Sequence, residues 1–363
     1  MSLKTYSIIL KKCYSILYLC FYYNCIQHLF YNLKNLFFLI FNLLILLSCN
    51  KDSSESNEIL LDGTTCSLGE NNTYNCSMIK NGLAREFIVY VPESYSSQNL
   101  AVPLLFSLHG FTSYAKWNIQ YTGFQSLADE NGFIVIYPQG SIWKTLPSEK
   151  TGFSSEGNTH WNVGWTTEFG ERSTSDDIEF INDLIEWSSD NYNVNTNRVY
   201  STGMSNGGFM SYHLACNLGS KIAAIASVTG SMSPKTFSEC TPDHPTPVMQ
   251  IHGLDDYVVP YLGYEALCEP MDDVINFWVN YNSCNSSPAS QIITDLNGDE
   301  YGGVHKVYEN GENNVSVEFY LLDEMGHEWP RVNAPSDYGS YDIDAPSLIW
   351  EFLSKYDING LIN

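Results

Sequence analysis

From residue 86 onward, short apolar runs alternate with longer amphipathic stretches. The apolar runs at 86–91, 103–108, 133–137, 198–203, 223–228, 247–252 and 316–321 have the length and continuity of buried strands. Between them, 3.6-residue periodicity predicts helices around 120–130, 177–190, 207–217, 271–281 and 346–355. The clearest opens at Asp176 or Asp177, either a good N-cap, and carries Phe180, Ile181, Leu184 and Ile185 as its apolar stripe. Strands alternating with helices predict an α/β domain with a mostly parallel, doubly wound sheet flanked by helices. One region, 141–175, breaks the alternation. It sets Trp143, Phe153, Trp161, Trp165 and Phe169 among Gly, Ser and Thr, and a loop of that length in a compact domain is usually functional.

The N-terminal pattern is of another kind. Residues 1–48 contain Lys4, Lys11, Lys12 and Lys34, no Asp or Glu, and an apolar run from Asn35 to Leu47. Leu46-Leu47-Ser48-Cys49, followed by a polar Asn-Lys-Asp-Ser-Ser-Glu-Ser, resembles a bacterial lipoprotein cleavage box. Three segments are therefore expected: a lipoprotein-type signal peptide over 1–48, a flexible tether over 49–62 and one α/β domain over 63–363. Cys49 is the expected lipid carrier. The alternative is an uncleaved transmembrane anchor, since 14–48 is long enough to span a bilayer. The leader is long for a signal peptide, which points to a true start downstream of Met1.

Charge narrows the partners. The formal net charge is −24, and all 41 acidic residues lie beyond the leader, against the 17 basic residues less its four lysines. So acidic a body repels nucleic acid and anionic membrane surfaces. A lipid would be its only hold on a membrane, and it is expected to act as a monomer. Six of the ten cysteines lie beyond Cys49, an even number in an exported chain. Sequence proximity favours Cys66–Cys76, Cys216–Cys240 and Cys268–Cys284, and no spacing suits a metal site. Asp295-Leu-Asn297-Gly-Asp299-Glu300 begins like a calcium loop, but Glu300 stands where the turn needs Gly and Lys306 where a bidentate Glu is needed. A polar turn is expected there, and the chemistry requires no cofactor.

Gly203-Met204-Ser205-Asn206-Gly207 sits between a strand-like and a helix-like stretch, the setting of a nucleophile elbow. His109-Gly110-Phe111, His252-Gly-Leu-Asp255-Asp256 and Asp323-Glu-Met-Gly-His327 each follow an apolar run. Ser, then Asp, then His is the order of α/β-hydrolases. A serine alcohol needs a neighbouring base before it can attack a carbonyl. His327 fits that order; His252 also ends a strand but precedes the acid. Asp255 and Asp256 are both candidate acids. Backbone N–H groups of Phe111 and Asn206 would form the oxyanion hole.

Leu108-His-Gly, Gly132-Phe-Ile-Val-Ile-Tyr-Pro-Gln-Gly140, Asp176-Asp-Ile-Glu-Phe180, Arg198 to Gly208, His252-Gly-x-x-Asp256, Val259-Pro-Tyr261 and Gly326-His-x-Trp-Pro330 resemble, over residues 80 to 355, the polyhydroxybutyrate-depolymerase-type esterases. That group merges with feruloyl and acetyl-xylan esterases. The resemblance implies a secreted serine esterase with Ser205, Asp256 and His327 as its triad, and a structural role for His252. Trp161, Trp165 and Trp329 are candidates for a sugar- or phenol-binding wall. Three readings follow: a surface-tethered esterase acting on feruloyl or acetyl esters of plant-wall polysaccharide, a polyhydroxyalkanoate depolymerase, or an inactive glycan-binding lipoprotein. The correct residue types at all three triad positions speak against the last.

Overall fold

The computed structural model describes residues 63–97, 100–142, 159–165, 173–296, 298, 300, 302–332 and 341–362. The leader, the tether, Cys49, Trp143, Phe153 and Phe169 lie outside them. The strands, in chain order, are β1 (Gly63–Leu68), β2 (Thr73–Lys80), β3 (Leu83–Tyr90), β4 (Val102–Leu108), β5 (Ile134–Pro138), β6 (Ser141–Ile142), β7 (Thr159–His160), β8 (Val194–Met204), β9 (Ala224–Val228), β10 (Val248–Gly253), β11 (Ala289–Ile293), β12 (Gly303–Tyr308), β13 (Val317–Leu322), β14 (Tyr356–Asp357) and β15 (Gly360–Leu361). The helices are α1 (Ala115–Thr122), α2 (Phe124–Asn131), α3 (Asp177–Asn191), α4 (Asn206–Asn217), α5 (Pro234–Glu239), α6 (Met271–Tyr281) and α7 (Ala345–Leu353).

Eleven of these strands join in the order β1-β2-β3-β5-β4-β8-β9-β10-β13-β12-β11. The middle six, from β5 to β13, pair in parallel; β1-β2-β3 and β12-β11 are added antiparallel at the two edges. Every residue of β4, β5, β9, β10 and β13 is buried, which is why each reads as a continuous apolar run. Alternate side chains feed two cores. Leu104, Phe106 and Leu108 of β4 pack with Phe180 of α3, Phe209 of α4 and Trp278 of α6; Leu105 packs on the other face with Phe124 of α2 and Ile349 of α7.

The predicted strands all form, and the helix expected over 120–130 is instead two. Gly123 takes φ 75° between α1 and α2, a left-handed turn that ends one helix and starts the next. The short α5, capped by the Ser233 hydroxyl on the Thr236 N–H, and the edge strands β1, β2, β11 and β12 were not predicted. β1 and β11 are mostly exposed and offer no apolar alternation to read. In α3 the Asp176 side chain accepts the Glu179 N–H, as its capping role predicts.

Two disulfides form, Cys66–Cys76 and Cys216–Cys240. The first joins residues directly opposite each other in β1 and β2, with Cα atoms 4.1 Å apart. The expected Cys268–Cys284 bridge is absent, and both thiols are free. The reason is α6, whose 11 residues lie between them. A helix of that length rises roughly 16 Å, whereas bridged Cα atoms sit within about 7 Å. Asp295 accepts the Gly298 N–H at 2.7 Å and the Glu300 N–H at 3.1 Å.

Candidate active site

Because β4, β8, β10 and β13 are parallel, the segments that follow them open on one edge of the sheet, the edge where ligands bind in such folds. Ser205 follows β8 directly and caps α4. Its φ of 55° and ψ of −124° lie in a region that non-glycine residues avoid, the strain of a sharp strand-to-helix turn. Its N–H is held by the Val228 carbonyl at 2.8 Å. The flanking glycines are steric necessities. A Cβ at Gly203 would come 2.5 Å from the Gly207 carbonyl carbon, and one at Gly207 2.2 Å from the Leu108 carbonyl oxygen. Gly110 approaches from β4: a Cβ there would stand 3.5 Å from the Ser205 Cβ.

Asp256 is buried and spends both oxygens. Oδ1 accepts the N–H groups of Val258 and Val259 at 2.9 and 2.8 Å; Oδ2 accepts Nδ1–H of His327 at 2.8 Å. That bond leaves Nε2 of His327 as the imidazole's other face, on a side chain 19% exposed. Asp255, the other candidate acid, is half-buried, and its carboxylate accepts the Tyr257 hydroxyl at 3.4 Å.

His252 is fully enclosed. Nε2 donates to the Val259 carbonyl at 2.9 Å and Nδ1 accepts from Gln250 at 3.1 Å, while burial lowers its pKa. Neutral and doubly bonded, it braces the Asp256 loop, with Nε2 3.9 Å from Asp256 Oδ2. His109 is likewise buried, and desolvation pushes its pKa down to about 4. Nδ1 donates to the Gly110 carbonyl at 2.8 Å and Nε2 accepts the Gly140 N–H at 2.9 Å.

Of the three tryptophans, Trp161 and Trp329 are buried in the core and Trp165 is half-buried. Trp161 is fully buried: its indole N–H donates to the His109 carbonyl at 2.9 Å, and its backbone pairs with the Asn206 side chain. Trp329, although two residues from His327, is 5% exposed and packs against Tyr121 and Phe124. Trp165 is half-buried, its N–H on the Leu267 carbonyl and its ring edge-on to Phe209. A large aromatic fills core volume more readily than it lines a cleft, and the two buried residues follow that rule. What the sequence did not reveal is the loop between β10 and α6, where Tyr257 is 85%, Leu262 81% and Tyr264 54% exposed. The signal available in the sequence was the apolar and aromatic run from Tyr257 to Tyr264, directly after Asp256. Asn206, fully buried beside the serine, was expected to contribute only its backbone.

Comparison with known proteins agrees with this architecture. The Phospholipase/Carboxylesterase family matches residues 158–292, a stretch that includes Ser205 and Asp256 and stops short of His327. The chain is 27% identical over 304 residues to the bifunctional acetylxylan esterase/xylanase of Neocallimastix patriciarum, covering 80% of this chain and 36% of that one. It thus spans little more than a third of that relative. It is 26% identical over 289 residues to feruloyl esterase D of Neurospora crassa, covering 76% and 84%. To the poly(3-hydroxyalkanoate) depolymerase C of Paucimonas lemoignei it is 24% identical over 276 residues, covering 67% and 60%. Among solved structures, the acetyl xylan esterase of Aspergillus awamori superposes with a TM-score of 0.50 at 15% identity, over 80% of this chain and 99% of that one. The chain has the α/β-hydrolase fold and is similar to the esterases that its motifs resemble.

Proposed function

We propose that this chain is an exported serine carboxylesterase in which Ser205, His327 and Asp256 form the catalytic triad. The observation that carries the reading is the buried Asp256 carboxylate bonded to His327 Nδ1 at 2.8 Å, on the sheet edge that also bears Ser205 at a strained elbow. In this mechanism His327 takes the Ser205 proton as the hydroxyl attacks the ester carbonyl, and later gives it to the leaving alkoxide. Asp256 holds the imidazole in the right tautomer and balances its charge. The N–H groups of Asn206 and Phe111 receive the oxyanion. Water then repeats the sequence on the acyl-enzyme.

Feruloyl or acetyl groups on polysaccharide are the proposed esters, supported by the similarity to a feruloyl esterase and an acetylxylan esterase/xylanase. The similarity to a poly(3-hydroxyalkanoate) depolymerase supports hydroxyalkanoate oligomers as the second reading. Tyr257, Leu262 and Tyr264 take over the binding role earlier given to the tryptophans, since exposed apolar side chains beside a reactive centre gain by being covered. Export is supported by the two disulfides. Lipid attachment at Cys49 remains part of the proposal, tested by labelled fatty acid uptake and its loss in Cys49→Ala.

The test is direct. A fluorophosphonate should label Ser205, and methyl ferulate, acetylated xylan and hydroxybutyrate oligomers assayed side by side should rank the substrates. Oligomers turned over much faster than either sugar ester would promote the depolymerase reading. Full activity in Ser205→Ala would end the hydrolase mechanism altogether.

A further inference from the structure

Asn206, immediately after the elbow serine, is fully buried, and its side chain pairs with the backbone of one residue. Oδ1 accepts the Trp161 N–H at 2.7 Å, and Nδ2 donates to the Trp161 carbonyl at 3.1 Å. The amide thus takes the place of a neighbouring strand, satisfying both polar groups of a single residue. The indole of the same tryptophan reaches the other side of the site. Nε1 donates at 2.9 Å to the carbonyl of His109, one residue before Gly110. Trp161 therefore ties the start of α4 through its backbone and the end of β4 through its ring.

Trp161 is itself held firmly. The N–H of the next residue, Asn162, donates to Asp177 Oδ2 at 2.7 Å, and Asp177 Oδ1 pairs with Arg85 at 2.7 Å. Burial alone would raise the Asp177 carboxyl, but Arg85, Asn162 and Ser175 hold it below the usual carboxylate range, so it stays charged. On the other side, His160 lies between the Ser141 carbonyl at 2.9 Å and the Ser173 hydroxyl at 2.6 Å. The clamp therefore rests on a buried ion pair anchored in β3 and α3.

An oxyanion hole works only when its donors are fixed where the charge will develop, with tolerances of a fraction of an ångström. Its two donors here come from separate elements, α4 and the loop after β4. We propose that Trp161 and the Asn206 side chain are positioning residues that set the spacing of those two donors, an inference that rests on the triad reading above. Neither side chain touches the substrate; both act through the backbone they hold.

The experiment uses the full chain with p-nitrophenyl acetate, and a trifluoromethyl ketone as a probe that adds to Ser205 as a tetrahedral anion. Trp161→Phe keeps an aromatic ring in the core and the backbone pair with Asn206 but removes the bond to His109. Its kcat should fall roughly 10-fold with KM little changed, and ketone affinity should weaken by the same factor as kcat/KM. Asn206→Ala should lose roughly 100-fold, and Asn206→Asp, which keeps the acceptor for the Trp161 N–H, should lie between it and the parent. A core role alone would lower the Tm and leave kcat and ketone affinity of the folded fraction untouched; that result in Trp161→Phe overturns the proposal, even if Asn206→Ala fails to fold. Ser205→Ala runs alongside: if it keeps activity, the triad reading falls, whereas a dead Ser205→Ala with an unimpaired Trp161→Phe rejects the clamp alone.

Discussion

His327 and the Val258–Val259 backbone share one carboxylate: Asp256 Oδ2 accepts the imidazole N–H at 2.8 Å while Oδ1 accepts both amides. The group that orients the proposed base therefore also shapes the loop beside it. Asp256→Asn can keep an acceptor for the two amides and still present the wrong partner to His327 Nδ1. The variant should remain folded and lose about 10⁴-fold in kcat, as should Ser205→Ala and His327→Ala. Asp255→Asn should be mild. Steady-state kinetics with circular dichroism check this, and a severe Asp255→Asn beside a mild Asp256→Asn would reverse the assignment.

The cysteine pattern makes a chemical prediction. Alkylation of the unfolded, unreduced protein should modify Cys268 and Cys284, while Cys66, Cys76, Cys216 and Cys240 should react only after reduction. In the native state Cys268 should react slowly, because it is 2% exposed and burial raises its pKa to about 11. Peptide mapping by mass spectrometry reads each site. A Cys268–Cys284 crosslinked peptide would contradict the fold around α6.

Acid should weaken the fold before the ordinary carboxylate range is reached. Burial lowers the pKa of His109, His160, His213 and His252, to about 4 for His109 and His213. An unfolded chain takes up those protons near pH 6.5, the ordinary histidine value, while the folded chain refuses them. The unfolded state then binds more protons, so stability is unaffected above about pH 6.5 and is lost as pH falls towards 4. Denaturant unfolding across that window should show the decline, and His213→Asn, on α4 and outside the triad, should flatten it by about one proton. A stability that stays level from pH 6.5 to 4.5 would count against the buried neutral histidines.

Substrate preference should follow exposure. Tyr257→Ala and Tyr264→Ala should raise KM for a feruloylated oligosaccharide several-fold and leave p-nitrophenyl acetate nearly unchanged. Trp329→Phe, inside the core, should lower the Tm and leave KM alone. If Trp329→Phe selectively raises KM, the indole reaches the substrate after all.

These expectations mark how far the sequence could be read. The apolar runs that became β4, β5, β9, β10 and β13 were legible because strands buried on both faces have no polar alternation to confuse them. The positions of Ser205, Asp256 and His327 after strands were legible because each follows a run buried at its C-terminal end, β8, β10 and β13 in turn. Tryptophans 161 and 329 were misread because proximity along the chain says nothing of which way a ring turns. Cys268 and Cys284 were misread for a related reason: a separation of 16 residues spans a helix as easily as a hairpin. The Asn206 side chain had no sequence signal, since its partner lies 45 positions away.

The doubly engaged carboxylate of Asp256 has an evolutionary corollary. The exposed side chains of Tyr257, Leu262 and Tyr264 can be exchanged without disturbing any of its three bonds, so the loop can be retuned for a new ester by point substitution. Its length cannot drift so freely. An insertion or deletion between Asp256 and Val259 would slip the two amides out of register with Oδ1 and swing the acid away from His327. Relatives that differ in specificity should therefore vary in letters across this stretch and hold the count fixed at its first three steps.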